Sequence, residues 1–161
     1  MPDFGLTLGD SRDLSPTELM SAAGNGQGFR IFSIDGGHTA EATEVDLQNG
    51  AGCLLEGGVL VLDDVFNMDW PGVGEGFHSF MQMQDGGDAR LVPFAIAFNK
   101  VFLTHKHAHS QYLSHFLHAV PPRKVVDIFG VKVAVYEAGW ITAFHSNDTF
   151  TTVSQVDAGA Q

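Results

Sequence analysis

The chain alternates short apolar runs with segments in which apolar residues recur every three or four positions, the mark of strands alternating with helices. Phe29 to Ile34 is apolar, compact and preceded by glycines, and it reads as a strand. Val59 to Leu62, behind Gly57-Gly58, is a continuous apolar run of the kind buried on both faces of a parallel sheet. Between them Thr39 can cap a helix in which Leu47, Ala51, Leu54 and Leu55 fall at i, i+4, i+7 and i+8 and form one buried stripe. Glu41 and Glu44 suit the positive end of its dipole. Strand, helix and strand make a βαβ unit, which is right-handed in nearly every sheet.

Upstream, Leu6-Thr7-Leu8 is a short strand candidate running into the turn Gly9-Asp10-Ser11. Ser15-Pro16-Thr17-Glu18 joins an N-cap serine, a proline at the first helical position and a glutamate three residues after the cap. A helix is therefore expected from about residue 16 to Ala23, ended by Gly24-Asn25-Gly26. Downstream the pattern predicts a helix near Gly74 to Met83, a polar turn at Asp85-Gly86-Gly87-Asp88, and strands at Val101 to Leu103 and Val131 to Tyr136. A helix from about His109 to His118 and a Pro121-Pro122 break separate those two strands. Residues 1–146 are expected to form one α/β domain, and 147–161, polar and short of large apolar residues other than Phe150, a frayed tail.

With 161 residues, 44% of them hydrophobic and 13 of them Phe, the chain suffices for one domain with its own core. Eight Lys+Arg against 19 Asp+Glu give a net charge of −11, which repels nucleic acid and anionic membrane surfaces and welcomes a cation. Cys53 stands alone, which excludes an internal disulfide, and no stretch approaches the ~20 apolar residues of a membrane span. Met1-Pro2-Asp3 lacks a basic region followed by an apolar one, so no signal peptide and a cytoplasmic location are expected.

Both leading apolar runs end in carboxylates. Asp35, followed by His38, closes the first, and Asp63 and Asp64 close the second; in α/β sheets such strand ends border the crevice where ligands bind. Three carboxylates there suit a hard divalent cation such as Mg²⁺ or Mn²⁺, which would keep them ionised against their mutual repulsion. His38 has the chemistry of a general base near neutral pH. The plainer alternative is that Asp35 caps a turn, Asp63 or Asp64 opens a loop, and His38 satisfies backbone groups at a helix start. Two further groups are open in the same way. His105, His107 and His109 would share one face of a strand, and His115 and His118 would be helix neighbours: a transition-metal site, surface residues, or part of an acceptor-site wall. Trp70, Phe66 and Phe77 either line an acceptor pocket or pack beneath a loop.

Ile34-Asp35-Gly36-Gly37-His38, Gly57-Gly58-Val59-Leu60-Val61-Leu62-Asp63-Asp64-Val65-Phe66-Asn67 and Trp70-Pro71-Gly72-Val73 together resemble the second half of a class I S-adenosylmethionine-dependent methyltransferase. The nearest subgroup in pattern is that of the metal-dependent sugar and macrolide O-methyltransferases. The likeness spans most of residues 6 to 136. It implies a Rossmann-like fold with a mostly parallel sheet and an antiparallel last strand, and a methyl group transferred to the hydroxyl of a small-molecule acceptor. It further implies that Asp35, Asp63 and Asp64 hold Mg²⁺ or a similar divalent cation and that His38 takes the acceptor's proton. Gly9, Asp10 and Ser11 resemble the family's turn beside the cofactor adenine, so they and Asp35 are the expected S-adenosyl-L-methionine contacts.

The family's Gly-rich turn after its first strand, and the acidic residue ending its second, have no counterpart before Leu6. Gly24-Asn25-Gly26-Gln27-Gly28 precedes a strand rather than following one, the wrong order for cradling a cofactor. The resemblance thus implies a fold truncated at the N-terminus, an incomplete cofactor site, and an uncovered edge on the 29–34 strand. Such an edge is expected to pair with a second copy, with a separate N-terminal half, or with a shifted 6–8 segment. A noncatalytic α/β binding or assembly module, and more remotely a metal-dependent hydrolase using the acidic trio and His38, are the competing expectations.

Overall fold

The computed structural model describes residues 8–22 and 26–136, together with the backbone of 142–143 and 151–152. The first helix, α1 (Pro16–Ala22), opens as its sequence requires: the Glu18 carboxylate accepts from the Ser15 backbone N–H at 2.8 Å while Ser15 Oγ caps Glu18 in return. Then follow β1 (Phe29–Ile34), α2 (Ala40–Cys53), β2 (Leu54–Leu62) and α3 (Pro71–Met83). The hairpin β3 (Leu91–Ala97) and β4 (Lys100–His105) leads into α4 (His109–Ala119) and a second hairpin, β5 (Lys124–Ile128) and β6 (Val131–Tyr136).

All six strands form one mixed sheet in the order β1-β2-β4-β3-β6-β5. β1 with β2 and β3 with β6 are parallel pairs, whereas β4 runs against both its neighbours and β5 against β6. The expected mostly parallel sheet with an antiparallel last strand is corrected accordingly. Phe98-Asn99 is too short a connection for a parallel crossover, so β4 folds back antiparallel and inserts between β3 and β2. Strands β3 and β5 went unanticipated. Pro93 weakens the strand signal of Leu91–Ala97; here it sits at a register shift between Pro93 and Ala95, where a missing N–H is tolerated.

The stripe expected over Leu47 to Leu55 is shorter than drawn. α2 ends at Cys53, and Leu54 already pairs with Phe29 in β2. Register then jumps from Phe29↔Leu54 to Ile31↔Val59, so Leu55–Gly58 bulges out of the parallel ladder, with Gly57 at φ +66°. The carbonyls this bulge exposes are met by side chains: Glu56 by Arg30 Nη1 at 3.1 Å, Gly57 by the Tyr112 hydroxyl at 2.8 Å, and Gly58 by Thr104 Oγ1 at 2.8 Å.

The main core lies under α2 and α3, where Leu47, Val73, Phe77, Phe80 and Met81 pack on Leu60, Leu62, Val101, Leu103 and Val133. Full burial of side chains of this size is worth roughly 1.5–3 kcal/mol each. Phe102, between Val101 and Leu103, points to the opposite face, where Phe94 stacks on Tyr112 at 5.0 Å and meets Phe116 edge-on at 5.3 Å. Helix α4 therefore covers that face. No helix among the described residues is long and apolar enough to cross a membrane.

Among the described residues β1 has β2 as its one neighbour in the sheet, and its Ile31 is exposed. Of the expected 6–8 strand, residues 6 and 7 lie outside the described residues, and Leu8 is exposed and not in a strand. Residues 23–25, where the first helix was expected to end, also lie outside them. Thr142–Ala143 and Thr151–Thr152 pair antiparallel, which places extended backbone within the tail expected to fray; the rest of 147–161 lies outside the description.

Candidate functional site

Parallel pairing of Ile34 with Leu62 brings the ends of β1 and β2 side by side, and the Asp63 N–H extends the ladder by donating to the Ile34 carbonyl at 3.0 Å. Asp35, Asp63 and Asp64 thus leave the sheet together. His38 arrives from the loop before α2, where Thr39 caps the helix by accepting from the Ala42 N–H at 3.2 Å. From the other side comes α3, whose glycines allow a close approach. A Cβ on Gly72 would lie 2.7 Å from the His38 carbonyl oxygen, and one on Gly76 would lie 2.4 Å from that of Ala40. Trp70, just before Pro71 at the start of α3, consequently stacks on His38 with ring centroids 4.4 Å and planes 17° apart.

The centre of the site is Asp64. Its φ of +59° lies in the left-handed region, which Asp enters more readily than most residues, and this turns its carboxylate toward His38 rather than into the loop. Oδ2 lies 3.1 Å from His38 Nε2, while Oδ1 accepts from Asn67 Nδ2 at 3.0 Å and from Asn99 Nδ2. The Asn67 amide first, then His38 and Asn99, hold the Asp64 carboxyl below the usual carboxylate range despite the opposing effect of desolvation. Asp35, His38 and Asp64 each place a ligand atom within 4.8 Å of the others. Asp63 stands apart from this group, because its Oδ2 is taken by Lys100 Nζ.

Of the residues expected at the strand ends, the fold brings Asp35, His38 and Asp64 together and sets Asp63 apart, and it adds Asn67, Asn99 and Lys100, which the sequence pattern did not single out, as their neighbours. Asn99 and Lys100 become visible only once Leu91–Ala97 is recognised as a strand, since the hairpin tip then points back at the end of β2.

The expected cofactor residues fall in two places. Asp10 caps a short 3₁₀ turn (Ser11–Asp13), and its carboxylate is bound by the Arg12 guanidinium at 2.7 Å, which lowers its pKa to about 2. Gly9 is exposed beside it. Ser11 and Asp35, in contrast, line one cleft of about 220 Å³ with Phe32, Ser33, Asp46 and Asn49. Burial raises the Asp46 carboxyl there, against a stabilising hydrogen bond from Ser11. On the far side of Asp64, an apolar cavity of about 270 Å³ is lined by Val65, Phe66, Phe77, His78, Ile96 and Phe129. Phe77 is a core residue at 7% exposure, while Phe66 and Trp70 are exposed.

The other histidines do not form the expected strand face. β4 ends at His105, a 3₁₀ turn (Lys106–Ala108) follows, and His109 starts α4. His109 Nε2 donates to the Lys132 carbonyl at 2.8 Å and His118 Nδ1 to that of Ser114 at 2.6 Å. Among the described residues, only Asp35, His38 and Asp64 bring three metal-ligand atoms together. No family model matches the chain.

Proposed function

We propose that the ends of β1 and β2 hold a divalent cation and, with it, a hydroxyl-bearing small molecule, the metal-and-acceptor portion of an S-adenosylmethionine-dependent O-methyltransferase site. The observation that carries the cation is the grouping of Asp35, His38 and Asp64. The 3.1 Å from His38 Nε2 to Asp64 Oδ2 matches two adjacent ligands on an octahedral ion, which at ~2.1 Å bonds stand ~3.0 Å apart. Two carboxylate oxygens and one imidazole nitrogen suit Mn²⁺ at least as well as Mg²⁺. Such an ion, when bound, would lower the pKa of an acceptor hydroxyl and orient it. In this arrangement His38 is a ligand rather than the general base its sequence position suggested, since Nε2 cannot hold the ion and a proton at once. Trp70 fixes the imidazole plane, and the apolar cavity beyond Val65 offers room for the carbon skeleton of the acceptor.

The methyl-transfer part of the reading rests on the resemblance of the 34–38, 57–67 and 70–73 segments, and on β1 to β3 running in one direction with the antiparallel β4 beside them. The cleft beside Ser11 and Asp35 does not accommodate the methyl donor whole: at about 220 Å³ it falls short of the ~300 Å³ at which ligand pockets begin. No methyl-transfer step is therefore drawn through it.

A noncatalytic α/β module is favoured by one observation, namely that the Asp63 and Asp64 oxygens already have Lys100, Asn67, Asn99 and His38 as partners. Calorimetric titration separates the two. Mn²⁺ binding, and S-adenosylmethionine binding that depends on it, supports the first reading. A folded chain that takes up neither ion nor cofactor is the module.

A further inference from the structure

At the end of the sheet away from Asp64, the Leu55–Gly58 bulge of β2 and one side of α4 border an open cleft of about 680 Å³. That is within the range of small-molecule sites. Its wall on the α4 side carries Tyr112 and Phe116, whose rings are fixed from behind by Phe94 and, for Tyr112, by the hydroxyl bond to the Gly57 carbonyl. Polar groups converge on it from three elements: Arg30 from β1, His107 from the turn before α4, and Gln111 and His115 from α4 itself. The Arg30 fork is anchored by its bond to the Glu56 carbonyl, and a guanidinium carries five N–H donors, so one such bond leaves donors for a ligand. In a chain with 8 Lys+Arg against 19 Asp+Glu, this cleft sets one of the few guanidiniums beside an aromatic wall, with the Glu56 carboxylate also in its lining.

We propose that this cleft binds a small planar organic anion, an aromatic ring bearing a carboxylate. The ring lies along Tyr112 and Phe116, and the carboxylate takes Arg30 and, as an imidazolium whose Nδ1 donates to the Asp88 carbonyl at 3.4 Å, His107. Glu56 opposes it: its carboxylate stands at the rim, 3.5 Å from His107 Nε2, and competes for the same imidazole. Occupancy of this cleft is independent of the cation site.

Calorimetry with 2-naphthoate, and with the neutral isostere 2-naphthamide, tests this on the full chain. Naphthoate binds saturably, and naphthamide about tenfold more weakly for want of the charge-assisted bonds. Arg30→Gln weakens naphthoate by about tenfold and leaves naphthamide unchanged, whereas Glu56→Gln tightens naphthoate. Asp64→Asn alters neither. Should Arg30→Gln fail to fold, His107→Gln replaces it with the same expectation. Equal affinity for the two probes, retention of naphthoate affinity in the variant, or no binding by the folded chain would overturn the proposal.

Discussion

His38 Nε2 and Asp64 Oδ2 lie 3.1 Å apart, brought together from 26 residues away by the parallel pairing of β1 and β2. Neither side chain belongs to a regular element. Each is held by a neighbour from α3 or its approach: Trp70 stacks on the imidazole, and Asn67 binds the other carboxylate oxygen. The pair is a product of how closely α3 can dock.

That docking depends on Gly72. A Cβ there would meet the His38 carbonyl oxygen at 2.7 Å, the Ala40 nitrogen at 3.0 Å and the Thr39 Cα at 3.1 Å, all main-chain atoms with little room to yield. Gly72→Ala should cost about 1–3 kcal/mol in denaturant unfolding, the usual penalty of overpacking. It should also shift the His38 ring protons as the Trp70 stack loosens. Wild-type stability together with unchanged His38 resonances would show that the contact is slack.

Acid should remove what Asn67 contributes. The folded-state pKa of Asp64 is depressed, with Asn67 the largest cause, so the stabilisation is fully present above the unfolded carboxylate value near ~3.9 and is lost as pH falls through the folded one. Asn67→Ala is therefore expected to melt below wild type at pH 7, with the gap narrowing below pH ~4. A deficit that stays constant with pH would assign the Asn67 effect to packing alone.

Asp46 has the opposite sign. Burial raises its folded-state pKa, so its favourable contribution is present below the unfolded value and is lost as pH rises through the folded one. At neutral pH the wild type bears the cost of the buried charge. Asp46→Asn, which keeps an acceptor for Ser11, should raise the melting temperature at pH 7, and the two proteins should converge below pH ~4. A variant less stable than wild type at pH 7 would mean that the carboxylate is net stabilising there.

Local signals in the sequence proved dependable where one or two side chains decide the backbone. The Ser15–Glu18 box and the Thr39 cap both form, and Phe29 to Ile34 is a strand with the anticipated bounds. What failed required knowledge of partners. Helical spacing ran on through Leu54 and Leu55 because Gly50 and Gly52 lie inside the last turn of α2 and no Gly or Pro directly follows Cys53, and pairing with Phe29 is what makes Leu54 a strand residue. Pro93 hid β3, and with it the hairpin that carries Lys100 to Asp63. The three strand-end carboxylates therefore looked equivalent in sequence, while the fold gives Asp63 a cation of its own and leaves Asp35 and Asp64 with His38.

That distinction supplies the most direct test of the cation site. In calorimetric titration with Mn²⁺, wild type should bind one ion, Asp64→Asn should weaken binding at least about tenfold, and Asp63→Asn should leave it within about twofold. Equal losses in the two variants, or an Asp64→Asn protein that binds Mn²⁺ as wild type does, would contradict the proposed ligand set of Asp35, His38 and Asp64.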